Sequence, residues 1–102
     1  MKRGIARVGD MTSGHDGYPG TPIITGSGTM FCDGKGIACA GDICADHDKP
    51  KGHRHTPVIT GGSSFFTIDG KPVAMTGSEV SGGGCNSANI IIEGSETLSV
   101  NE

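Results

Sequence analysis

The chain has 102 residues and a mass of 10.3 kDa, room for one small domain, and its net charge of −3 is too weak to hold it open by self-repulsion. Nineteen glycines and five prolines leave no stretch free of both longer than nine residues (85–93), short of the average helix of about 11–12 residues, so strands joined by turns are expected instead. No apolar run approaches the roughly 18–20 residues of a membrane span, the start MKRGIARVGD lacks the apolar core of a signal peptide, and eight basic against eleven acidic residues with no tryptophan exclude a nucleic-acid footprint.

In chain order, Gly4-Ile5-Ala6-Arg7-Val8-Gly9-Asp10 is a glycine-bounded apolar segment, followed by a polar loop carrying His15. Thr21-Pro22-Ile23-Ile24-Thr25-Gly26 reads as a short strand, and residues 26–32 lead through a second apolar stretch to Asp33-Gly34. Asp-Gly is a hairpin-turn signal because both positions of that turn take positive φ. Gly36-Ile37-Ala38-Cys39-Ala40-Gly41-Asp42 should therefore return antiparallel, and it copies the pattern of residues 4–10. A second loop carries His47 and then Lys49-Pro50-Lys51-Gly52-His53-Arg54-His55. Thr56-Pro57-Val58-Ile59-Thr60-Gly61 repeats residues 21–26, residues 61–70 fit the next stretch with one extra residue, and Pro72-Val73-Ala74-Met75-Thr76-Gly77-Ser78 is the third return segment after Asp69-Gly70. Gly82-Gly83-Gly84 approaches Cys85, Asn89-Ile90-Ile91-Ile92-Glu93-Gly94 is the third strand copy, and residues 94–102 match residues 26–34 position for position.

One repeat thus occurs three times, with the first return strand at the N-terminus and its hairpin partner at the C-terminus. The ends are expected to meet and close residues 1–102 into a single all-β domain with pseudo-threefold symmetry, without an extension domain, rather than an open solenoid. Ile5, Ile37 and Val73 occupy one equivalent position and Ile24, Ile59 and Ile92 another, so each set is expected around the axis as a thin core.

The loops after the return strands offer a metal constellation. His15 lies nine residues after Ala6 and His47 nine after Ala38, while in the third copy the same offset gives Gly83, with Cys85 two residues on. Arranged about an axis, these three side chains converge at one pole. A closed tetrahedral site needs a fourth ligand, and the longer middle loop supplies extra histidines, His53 or His55; three imidazoles and a thiolate suit zinc. Of the other cysteines, Cys32 and Cys39 read as core thiols, and Cys44, three residues before His47, as a core thiol or a further ligand. Their uneven placement argues against a disulfide framework and for assembly in a reducing cytoplasm. Asp10, Asp42 and Ser78 end the return strands and read as turn caps rather than acid–base pairs. No nucleophile triad, phosphate loop or dinucleotide fingerprint occurs, so no catalysis is expected.

These segments resemble the PAAR-repeat family of spike-tip proteins. The return strands 4–10, 36–42 and 72–78 look like the family's repeats, with its Pro-Ala-Ala-Arg reduced to Gly-Ile-Ala-Arg, Gly-Ile-Ala-Cys and Pro-Val-Ala-Met. Residues 9–15 resemble its Gly-Asp loop leading to a histidine, and residues 53–61 its stretch in which a histidine precedes the next strand, favouring His53 over His55. The resemblance implies a small conical β domain with one structural zinc at the vertex, held by His15, His47, His53 and Cys85. It implies a monomer that caps a homotrimeric β-helical spike of VgrG type, or a contractile phage tail spike, and sharpens it for piercing a target membrane. Such a protein is made in the bacterial cytoplasm, carried at the tip of a type VI secretion or phage-tail apparatus and delivered into the target cell. Phe31, Phe65, Phe66 and Leu98 are then candidate docking residues at the base. The competing expectations are a zinc-dependent hydrolase, which would need an open coordination position, and a generic β adaptor.

Overall fold

The computed structural model describes residues 2–15, 18–46, 56–81 and 89–102. Among them no helix forms, and the chain runs through nine strands of two or three residues. These are β1 (Lys2–Gly4), β2 (Phe31–Cys32), β3 (Lys35–Gly36), β4 (Val58–Ile59), β5 (Thr67–Ile68), β6 (Lys71–Pro72), β7 (Glu79–Ser81), β8 (Asn89–Ile90) and β9 (Ser99–Asn101).

Two of the three hairpin units are made by adjacent segments. β2 pairs with β3 and β5 with β6, both antiparallel, with Cys32 opposite Lys35 and Ile68 opposite Lys71. The two-residue turns are Asp33-Gly34 and Asp69-Gly70, with φ of 54° and 77° in the first and 52° and 79° in the second. That double positive φ matches the twist of the flanking strands and suits an Asp-Gly pair. The third unit joins the chain ends: β1 pairs with β9, Lys2 opposite Asn101, Arg3 opposite Val100 and Gly4 opposite Ser99. The expected closure is therefore realised by strand pairing.

The return segments meet at the centre. Ala6 N–H donates to the Ala74 carbonyl (2.9 Å), Ala74 N–H to Ala38 (2.9 Å) and Ala38 N–H to Ala6 (3.0 Å). This cyclic set of three bonds marks the pseudo-threefold axis. Three backbones approach so closely only where the side chain is small, and all three alanines are fully buried. Side chains alternate along each return strand, so Ile5, Ile37 and Val73 join Cys32, Ile68, Val100, Cys39 and Met75 in one cluster. The alanines face the other cluster, with Ile23, Ile59, Ile91, Cys44 and Val80.

The first expected core set, Ile5, Ile37 and Val73, holds, at 0–2 % exposure. The second does not. Ile59 is buried (1 %), but Ile24 and Ile92 are half exposed (50 % and 54 %), and their places are taken by Ile23 and Ile91 (1 % each). Hydrogen bonding gives the register: Ile23, Ile59 and Ile91 accept from Gly9, Gly41 and Gly77 and donate to Asp10, Asp42 and Ser78. Aligning on Gly26, Gly61 and Gly94 puts the extra residue of the second copy on the wrong side of that glycine. The true equivalent of Gly26 and Gly94 is Gly62, followed by Ser63 as they are by Ser27 and Ser95. Those three hydroxyls do the same work: Ser27 Oγ accepts from Thr29 and Met30, Ser63 Oγ from Phe65 and Phe66, Ser95 Oγ from Thr97 and Leu98.

The turn-cap reading of Asp10, Asp42 and Ser78 is realised. Asp10 Oδ2 accepts from the Arg7 N–H (2.8 Å), Asp42 Oδ2 from Cys39 (2.7 Å) and Ser78 Oγ from Met75 (3.0 Å). Cys32, Cys39 and Cys44 are free and buried, as core thiols should be. Burial pushes the Cys44 thiol up to about 11 and raises Cys39 as well.

Candidate functional site

At one end of the second cluster lie the equivalent residues Thr12, Cys44 and Val80, each buried. Thr12 Oγ1 donates to the Thr21 carbonyl (2.9 Å) and accepts from the Thr21 N–H (3.1 Å), closing the base of the loop that carries His15. Asn89 of the third copy ties this loop to the rest: its Oδ1 accepts from Gly14 N–H (2.9 Å) and Ser13 Oγ (3.3 Å). Beyond these anchors His15 and Tyr18 exchange backbone hydrogen bonds, and their rings lie 5.2 Å apart at a 34° tilt. His15 is thereby held three residues past the core layer at 9 % exposure.

His47 follows Cys44 by the same three residues, and Cys85 follows Val80 by five. His47, His53, His55 and Cys85 lie outside the described residues. Among the described residues no three of His, Cys, Asp and Glu are grouped to hold a metal ion. Of the four expected ligands only His15 lies among the described residues, as a nearly buried imidazole on a braced loop. Cys44 is fully buried in the core and stays protonated.

The opposite face is apolar and open. Phe31 (59 %), Phe65 (67 %) and Leu98 (45 %) are exposed, while Phe66 is half-buried against the first cluster. Met30 (46 %), unassigned in the sequence reading, belongs with them. Met30, Phe66 and Leu98 are equivalents, since their carbonyls accept from Ile37, Val73 and Ile5. The match of residues 26–34 to 94–102 already set Met30 against Leu98 and could have flagged it. Phe65, Phe66, Leu98, Ile5 and Val100 line a shallow hollow of about 440 Å³ between β5 and the β1–β9 pair.

On the flank, Arg7 bridges two copies. Its guanidinium grips Asp10 with two bonds of 2.9 Å and reaches Asp33 Oδ2 at 2.7 Å. Asp33 also accepts from Ser95 Oγ and Thr97 Oγ1 at 2.6 Å each, and these hydroxyls, with Arg7, hold its carboxyl down at about 2.

No curated protein matches the chain. A family model for the PAAR motif does, over residues 1–49 and again over 13–85, the two matches overlapping as expected for copies that follow one another around an axis. Together they take in all three return strands and the loops from His15 to Cys85, and on that coverage the chain belongs to the PAAR motif family.

Proposed function

We propose that this protein is a zinc-stabilised spike tip of a contractile injection apparatus, of type VI secretion or phage-tail type, with a structural and non-catalytic role. The observation that carries the reading is the family match on a chain whose three copies close around one axis. A pseudo-threefold base meets the blunt end of a threefold spike with three near-equivalent contacts. In the same step it covers strand edges that would otherwise invite pairing. Met30, Phe31, Phe65 and Leu98 supply exposed apolar surface for that contact.

Zinc belongs to the reading at the other end, with His15, His47, His53 and Cys85 as its ligands. Bound there, it would fix loops that have too few residues to bury a core of their own, and its binding free energy would become folding free energy. The tip would be made in the cytoplasm, carried on a VgrG-type or phage spike, and pass transiently through a target membrane.

The test mixes the purified chain with a trimeric β-helical spike and measures mass in solution. One chain per trimer is expected, and Phe65→Asp with Leu98→Asp should abolish the complex while leaving the melting temperature within a few degrees. No complex with any trimeric spike, from a folded parent protein, would refute capping. Elemental analysis of protein purified without chelator tests the metal separately. One zinc per chain is expected, and Cys85→Ser should lower zinc content and melting temperature together.

A further inference from the structure

The pseudo-threefold symmetry places a second copy of the Arg7 seat on the next flank, and there the arginine is missing. Arg7, Asp10, Asp33, Ser95 and Thr97 of the first seat correspond to Cys39, Asp42, Asp69, Ser27 and Thr29. The last five line a cleft of about 270 Å³. Asp42 caps its turn as Asp10 does, and Asp69 sits at positive φ in its Asp-Gly turn as Asp33 does. The occupant differs, and so does one carboxylate contact: Asp42 Oδ1 accepts from Thr25 Oγ1 (2.9 Å), where Asp10 Oδ1 accepts from Arg7. In the first seat a guanidinium fills the space between the carboxylates. In the second a free cysteine stands in its place, a residue 4 % exposed at the wall of the cleft. Lys71 lies at the rim, as Lys35 does at the first seat, and forms no ion pair with Asp42 or Asp69.

We propose that the cleft between Asp42 and Asp69 receives a guanidinium group, the arginine side chain of a partner protein, in the manner in which Asp10 and Asp33 receive Arg7. The planar fork of five donors matches two carboxylates set around it; a lysine ammonium offers a point charge without that fit. The first seat shows that this backbone frame accommodates the group with bonds of 2.7–2.9 Å. The inference stands independently of the spike-tip reading.

The probe is Nα-acetylargininamide, titrated into the full chain at constant ionic strength and followed by backbone amide shifts. Saturable shifts confined to Ser27, Thr29, Cys39, Asp42 and Asp69 are expected. Asp69→Asn should weaken them by about tenfold, the worth of one charge-assisted bond near the surface; asparagine tolerates the left-handed turn, so that variant keeps the fold. Cys39→Arg, which fills the cleft from within, should abolish them. Shifts spread over the acidic surface, shifts unchanged by Asp69→Asn, or equal shifts from Nα-acetyllysinamide would each overturn the proposal. Should Cys39→Arg fail to fold, the Asp69→Asn and lysinamide arms decide alone.

Discussion

Replacing Arg7 by Met gives the first copy the residue that Met75 supplies in the third, so the backbone has a working precedent for the change. What is lost is a guanidinium with a side chain 12 % exposed, bonded twice to an Asp10 side chain 4 % exposed and once to Asp33 at 32 %. Stripping one partner from a buried pair costs about 3–5 kcal/mol. Asp10 retains the backbone N–H of residue 7, and the arm to the solvent-exposed Asp33 carboxylate adds little, so the net loss comes to about 2–4 kcal/mol. For a domain of this size that lowers the midpoint by about 10–25 °C. The companion is Arg7→Met with Asp10→Ser, which installs the whole Met75–Ser78 arrangement, in which a hydroxyl rather than a charge caps the turn at 3.0 Å. Urea unfolding of the parent, both single variants and the double variant gives the coupling. The double variant should recover more than half of the loss caused by Arg7→Met. A single-variant effect below about 0.5 kcal/mol, or a double variant at the sum of its singles, would refute the claim that an uncompensated Asp10 carboxylate is what the arginine prevents.

Three further outcomes are expected. Ile59→Ala should cost about 2–5 kcal/mol and Ile24→Ala less than about 0.5 kcal/mol; similar losses in urea unfolding would restore the rejected register. Asp33, held at about 2 against an ordinary 3.8, contributes stability that is complete above pH 4 and lost as pH falls from about 4 to 2. Asp33→Asn should flatten that part of an acid-unfolding curve, and an unchanged curve would show that other carboxylates carry it. At pH 8 Cys44, raised from 9.0 to about 11, exposes about a hundredfold less thiolate than an ordinary cysteine. It should escape a thiol reagent until denaturant is added, as read by mass spectrometry of labelled peptides; prompt labelling of the folded chain would contradict its burial.

The closure of the chain was legible because two tell-tale fragments sat at opposite ends. Residues 94–102 copy the hairpin segment 26–34 and residues 4–10 copy the return segment 36–42, and β1–β9 joins the two. The Asp-Gly turns were legible because their backbone demand is local. The outer core position was not. Thr21-Pro22-Ile23-Ile24 and Thr56-Pro57-Val58-Ile59 look alike letter by letter, yet Ile23 matches Ile59 because the backbone bonds from Gly9 and Gly41 fix the level. In a strand a one-residue slip turns the side chain to the other face, which is why Ile24 lies outside. The Arg7 bridge was also out of reach, since it joins residues 26 apart through a turn whose neighbour, Ser95, comes from another copy. Of the expected zinc ligands, His15 is the one whose setting is described.

The copies are identical at the alanine ring and differ at places on the flank, and this has a physical cause. At the alanine ring each residue meets its own two equivalents, so an added methyl group would have to be accommodated three times within one layer, and Ala6, Ala38 and Ala74 are identical. On the flank each copy meets its neighbour separately, and Arg7, Cys39 and Met75 have parted company, as has Asn101 from Asp33 and Asp69. The base must present three similar faces if it is to sit on a homotrimer, and Met30, Phe66 and Leu98 stay apolar while differing in shape. A homotrimer would carry any docking arginine in three copies. One would find the open cleft of Asp42 and Asp69, one would meet the seat already filled by Arg7, and one would face Met75, Ser78 and Asn101 beside a Glu102 carboxylate already held by Ser63 and Ser64. The three contacts would thus differ, and one of them would be repelled. The cleft therefore suits a partner present as a single chain on one side of the tip, which separates its occupant from the spike beneath.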